Sequence, residues 1–112
     1  MTKIYHNPRC SKSRAALELL NQRGLEPEII LYLQNPLSVE QLQQLVAQSN
    51  GSLLDLIRTN EAIFTELNLA TASEPELYEA VAAHPILLNR PIVQTTKGVR
   101  LGRPTEIIEE IL

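Results

Sequence analysis

Residues 3–33 read KIYHNPRCSKSRAALELLNQRGLEPEIILYL, and this stretch decides the fold. Lys3-Ile4-Tyr5-His6 is strand-like and is ended by the turn pair Asn7-Pro8. From Ser11 to Arg23 the apolar residues Ala16, Leu19 and Leu20 recur at helical spacing, and Gly24 is placed to stop the helix. Pro27 then precedes Glu28-Ile29-Ile30-Leu31-Tyr32-Leu33, an apolar run suited to a buried strand flanked by helices. Strand, helix and strand in that order, with a crossover of helical length, make a βαβ unit, so the two strands are expected to run parallel.

Outward from there, Pro36 opens a helical region. Ser38 and Gln41 form a capping box ahead of Val39, Leu42, Leu45 and Val46 on one face. Gly51 breaks this helix, Ser52 caps a short one with Leu53, Leu56 and Ile57, and another short helix is expected from Asn60. Ser73-Glu74-Pro75-Glu76 is a second capping box, with proline in the first turn, leading into Leu77, Val81 and Ala82. After His84-Pro85 the pattern returns to strand. Pro91–Thr95 and Val99–Leu101, joined by Thr96-Lys97-Gly98, read as a hairpin. Gly102-Arg103-Pro104 starts a last helix with Ile107, Ile108 and Ile111 turned inward. The order β-α-β, helices, β-β-α is that of an α/β thioredoxin-like fold: a four-stranded mixed sheet flanked by helices.

The 112 residues suit one domain, 1–112, with a modest core. Four aromatic residues leave that core to Leu, Ile, Val and Ala. No run of 18 apolar residues offers a membrane span, and the N-terminus lacks the apolar stretch of a secretory signal. One cysteine makes no internal disulfide, which fits a reducing compartment, and a cytoplasmic monomer is expected. The net charge of −3 disfavours non-specific nucleic-acid binding, but its distribution is uneven. Residues 1–17 and 80–105 hold eight of the ten basic residues and none of the thirteen carboxylates. Two such windows, if they meet, make an anion site; otherwise they are solvated surface.

Cys10 falls at the junction of the first strand and first helix. First-turn helix amides are unpaired donors at the positive end of the helix dipole, so a thiolate there is stabilised. Arg9, Lys12 and Arg14 add positive charge, and the expected outcome is a lowered pKa and a nucleophilic sulfur. The position also lies beyond the carboxyl end of a strand, where open α/β sheets bind ligands. Free cysteine is commonly a small buried hydrophobe, a role poorly matched to neighbours Arg9, Ser11, Lys12 and Ser13. Cys10-x-x-Ser13 has no second thiol, so any covalent or oxidised state of Cys10 must be resolved by a thiol from outside the chain. Ser13 is a candidate donor to the thiolate or a plain helix cap. His6 is a candidate cation or proton donor tuning Cys10, or simply the end of a strand. His84 reads as structural. Two distant histidines and one cysteine make no convincing metal site, and no bound cofactor is expected.

Several segments together carry a family resemblance. Tyr5–Ser13, Glu26–Leu33, Leu56-Ile57-Arg58-Thr59-Asn60, His84–Ile92 and Leu101-Gly102-Arg103-Pro104 are similar to motifs of the glutaredoxin-coupled arsenate reductases. HPILLNRPIV with a downstream GRP is specific, and the likeness spans almost the whole chain. Longer members continue past the last helix, so the chain resembles the compact branch. The resemblance implies a cysteine that attacks arsenate, Cys10, and three arginines that hold the oxyanion, Arg58, Arg90 and Arg103. It further implies a cis peptide at Arg90-Pro91 facing Cys10, glutathione as co-substrate, and glutaredoxin as partner.

Physics asks for such a set. An anion brought to about 4 Å from a thiolate is opposed by roughly 4 kcal/mol per unit-charge pair at an effective dielectric near 20. That opposition slows attack about a thousandfold unless cations offset it. Arginine is permanently charged and bonds oxyanions bidentately. Surface charge or structural pairing are the plainer roles for Arg90 and Arg103, and a helix-end cation is the plainer role for Arg58. Two other readings stay open: a glutathione-dependent thiol oxidoreductase or transferase of the same fold acting on something other than arsenate, and a redox regulator that binds RNA polymerase. Regulators of that kind use C-x-x-C as a switch, whereas Ser13 occupies the second position here.

Overall fold

The helix that follows Cys10 forms for local reasons and stops for a local one. Helix α1, Ser11–Gln22, buries Ser13, Ala16 and Leu20 along one stripe and leaves charged residues outside. At its end Gly24 takes φ of +72°, with Gly24 N–H bonded to Asn21 O and Leu25 N–H to Leu20 O. This pair of bonds closes the helix with a left-handed residue, which glycine adopts without a Cβ penalty.

The protein is described by a computed structural model covering residues 1–112. Its strands are β1 (Lys3–Tyr5), β2 (Glu28–Ile30), β3 (Ile92–Thr95) and β4 (Gly98–Leu101). The further helices are α2 (Val39–Ser49), α3 (Ala62–Glu66) and α4 (Glu74–Ala83), with 3₁₀ turns at Leu53–Leu56, Leu69–Thr71, Pro85–Leu87 and Thr105–Ile111. The sheet runs β2-β1-β3-β4: β1 and β2 parallel, β1 with β3 and β3 with β4 antiparallel. This is the mixed four-stranded sheet of the thioredoxin-like fold.

Two compact units make up the chain: residues 1–35 with 90–112, and residues 36–89. In the first, the central strands β1 and β3 are buried on both faces, with Ile4, Ile92 and Val93 inaccessible. Ile4 and Val93 pack with Ala16 and Leu20 of α1 and with Ile108 and Ile111 of the last 3₁₀ segment. Each large aliphatic side chain so buried contributes roughly 1.5–3 kcal/mol.

Two expectations are corrected in this unit. The apolar run 28–33 is not a buried strand: β2 ends at Ile30, lies at the sheet edge, and leaves Glu28 and Ile29 exposed. It pairs with β1 alone, and the chain turns at Leu31, whose carbonyl accepts from both Gln34 and Asn35 amides. The last helix is 3₁₀ rather than α. With three residues per turn, Ile108 and Ile111 align on the buried side and Ile107 is rotated partly out.

The second unit is helical. Both expected capping boxes form, Ser38 with Gln41 ahead of α2 and Ser73 with Glu76 ahead of α4, and these two helices pack together. The expected helix near Asn60 begins at Ala62. A bridge joins Ile57 and Leu88, and Arg58 N–H and Asn89 N–H donate to Leu87 O and Leu56 O at 2.8 Å each. Charge divides sharply between the units. The first holds nine basic and six acidic residues; the second holds seven carboxylates and one basic residue, Arg58. No helix is long and apolar enough to cross a membrane.

Candidate active site

Asn7-Pro8-Arg9-Cys10 is a tight turn between β1 and α1. Asn7 O accepts from Cys10 N–H at 3.0 Å, and Asn7 Oδ1 accepts from Arg9 N–H at 3.0 Å, so asparagine folds the turn from both its carbonyls. Arg14 Nη1 ties the same turn to the helix through Pro8 O at 2.9 Å. The turn delivers Cys10 as the N-cap residue of α1, in extended conformation, with its sulfur partly accessible.

Ser13, three residues on, is fully buried, and its hydroxyl is already engaged. Its Oγ lies 2.6 Å from His6 Nδ1 and accepts from Asn7 N–H at 3.0 Å. The hydroxyl thereby fastens the turn that carries Cys10. His6 is likewise buried. Burial and then the charge of Arg14 lower its pKa, which favours the neutral ring over the cation.

At Cys10 opposing effects meet. Partial burial pushes the thiol pKa up; the backbone amides of Ser13 and Lys12 and then the charges of Arg90 and Arg103 pull it down, and the sum lies below the ordinary value. Arg103 Nη2 stands 3.6 Å from the Cys10 sulfur. Its Nε donates to Arg90 O at 2.7 Å, which fixes the guanidinium plane. The Arg90-Pro91 peptide is cis, as the resemblance implied, and Arg103-Pro104 is cis as well. Pro91 is buried, and its carbonyl accepts from Gly102 N–H at 2.8 Å, joining the two arginine-bearing loops.

The structure thus brings together Cys10, Arg90 and Arg103, with His6 and Ser13 behind them. Arg58 belongs to the other unit. There Nη2 pairs with Glu61 at 2.9 Å, and Nε is buried with no hydrogen-bond partner. No group of three or more His, Cys, Asp or Glu side chains is placed to share a metal ion. The sequence marks Asn7-Pro8 as a turn and Arg14 as nearby charge; what it does not show is that Asn7 Oδ1 and Arg14 Nη1 fasten that turn by hydrogen bonds. Chemically the arrangement is a thiol of lowered pKa beside guanidinium groups, a combination suited to nucleophilic attack on an anionic centre.

Comparison with known proteins agrees in kind. The model of the ArsC family matches residues 5–111. An arsenate reductase of Escherichia coli is 45% identical over 111 residues, which are 97% of this chain and 79% of that protein. Uncharacterized protein YfgD of Escherichia coli strain K12 is 45% identical over 113 residues, 98% of this chain and 95% of that one. The solved structure of an arsenate reductase from Vibrio cholerae superposes with a TM-score of 0.96 at 43% identity, covering 99% of this chain and 97% of the other.

Proposed function

The chain belongs to the ArsC family, and on that premise we propose that it is an arsenate reductase whose nucleophile is the Cys10 thiolate. The observation that carries this reading is the guanidinium of Arg103 at 3.6 Å from the sulfur, in a setting that lowers the thiol pKa. Arsenate is largely anionic at neutral pH, so attack on it needs both a thiolate and cations in place to offset repulsion.

Arg90 and Arg103 bind the oxyanion, and Arg58 is the third cation, on the likeness of Leu56–Asn60 to the family motif. The two units then act as one catalytic domain, working in the cytoplasm. The Cys10 sulfur attacks arsenic; an S–As bond forms, an As–O bond breaks, and the oxygen leaves as water after taking two protons. A glutathione thiol attacks this adduct, and a glutaredoxin thiol supplies the second reducing equivalent. Over the cycle two thiol sulfurs each lose an electron and join as a disulfide, arsenic gains the pair, arsenite leaves, and Cys10 is free again. His6 and Ser13 hold the turn that aims the sulfur, and Pro91 lines the site.

Arsenate-dependent NADPH consumption, coupled through glutathione reductase and glutaredoxin, tests this directly. Wild-type protein is expected to turn over and Cys10→Ser to lose at least about a thousandfold, the scale set by removing a nucleophile. Full activity in Cys10→Ser, or wild-type protein that reduces a glutathione mixed disulfide but not arsenate, would falsify the proposal.

A further inference from the structure

We propose that Glu61 is a positioning residue for the reaction: its carboxylate holds the Arg58 guanidinium where that group receives the oxyanion. This rests on the reading of Arg58 as the third oxyanion cation. The two residues face each other across one turn, with Arg58 Nη2 2.9 Å from Glu61 Oε2. Both backbones are fixed. Arg58 N–H donates to Leu87 O at 2.8 Å beside the Ile57–Leu88 bridge, and Glu61 N–H closes the turn on Arg58 O at 3.3 Å. The paired side chains are 20% and 23% exposed, so water and salt screen them less than a surface ion pair.

Three observations point to this carboxylate. Glu61 is the N-cap residue of α3, a position that Ser, Thr, Asp and Asn fill best, yet its side chain makes no capping hydrogen bond. The carboxylate turns instead to the arginine three residues back. The Arg103 guanidinium is set by a bond from Nε to Arg90 O, whereas Arg58 Nε is buried with no partner. Arg58 therefore depends on Glu61 where Arg103 depends on a carbonyl. Last, Arg58 is the one basic residue among seven carboxylates in residues 36–89, and its pairing with one keeps it from the other six. A pair made through Nη2 leaves other donors of the guanidinium for an anion. Holding a long side chain in advance removes the cost of ordering it on binding.

Steady-state assays with arsenate test this. Glu61→Gln and Glu61→Ser are each expected to raise the KM for arsenate about fivefold, the scale of ordering one free side chain on binding. The loss should fall on KM rather than kcat, as for an interaction made equally in the ground and transition states. Charge alone would act with the opposite sign, because deleting a carboxylate beside an anion site lowers KM. Serine is the better N-cap, so Glu61→Ser should keep the wild-type Tm while its KM rises. In an Arg58→Ala background Glu61→Ser should raise KM no further. A KM unchanged or lowered in both single variants, or an equal Glu61→Ser effect with and without Arg58, overturns the proposal. Binding is read separately by titrating arsenate into Cys10→Ser protein with nitrogen-labelled arginine. The Arg58 Nε–H resonance should shift, and Glu61→Ser in that background should raise the half-saturating concentration about fivefold. No shift at Arg58 removes it from the oxyanion and overturns the proposal with it. Wild-type protein that shows the shift but no arsenate turnover overturns the reductase reading instead, and the titration still decides the role of Glu61.

Discussion

At Cys10 a modest number of local dipoles and two charges remote in sequence outweigh desolvation. Burial alone would leave a thiol; Ser13 and Lys12 amides with Arg90 and Arg103 make it a readier thiolate. The sign follows: groups that favour the anion lower its pKa, and removing one raises it. Alkylation of Cys10 by iodoacetamide, followed against pH, should therefore have its midpoint below that of an unstructured cysteine peptide measured alongside it. In Arg103→Leu the midpoint should move upward, because the cation 3.6 Å from the sulfur is gone. An unmoved midpoint would mean that Arg103 contributes nothing and that the helix amides and Arg90 set the shift. His6, by contrast, contributes as a neutral buried partner of Ser13. That these two side chains meet each other was beyond reach of the sequence, since both lie within a few residues of Cys10 along the chain and only the turn decides.

Elements whose boundaries are set by neighbouring residues were legible. The capping boxes of α2 and α4 and the glycine end of α1 form as expected because their donors and acceptors lie within four or five positions of each other. The end of β2 and the 3₁₀ form of the last helix are not legible locally, because edge position and helix type are settled by partners far away in sequence. Gly102 shows how closely elements are fitted at the site. A Cβ there would stand 2.8 Å from Ile108 Cδ1 and 3.0 Å from Pro91 Cγ, and Ile108 is fully buried with little room to yield. Gly102→Ala is accordingly expected to cost about 1–3 kcal/mol, lowering Tm by several degrees in calorimetry. Because Arg103 is the next residue, kcat/KM for arsenate should fall as well. A variant with wild-type Tm would show that Ile108 repacks freely.

For the molecule as a whole, net charge hides a division. The unit that carries Cys10 is net positive while the other is strongly acidic, with Arg58 as its one basic residue. An arsenate ion approaching Cys10 feels the positive unit over distances that salt screens, with a Debye length of about 8 Å at physiological ionic strength and about 3 Å at 1 M. Raising potassium chloride from about 20 mM to about 500 mM should increase the KM for arsenate several-fold and leave kcat within about twofold. A KM indifferent to salt would assign binding to short-range contacts alone.

Sequence by itself determined the βαβ start, the closing hairpin, the thiol at a helix N-terminus and the need for an outside reductant, because each rests on residue order or on a count of one cysteine. Tertiary structure decided which cations reach the sulfur. Arg9, Lys12 and Arg14 are its neighbours in the chain, yet the guanidinium within 3.6 Å is Arg103, ninety-three residues away. Pairing of β1 with β3 and of β3 with β4 brings the loops at the ends of those strands to the Cys10 turn. Sequence distance carries no information about that meeting; hydrogen bonding across the sheet does.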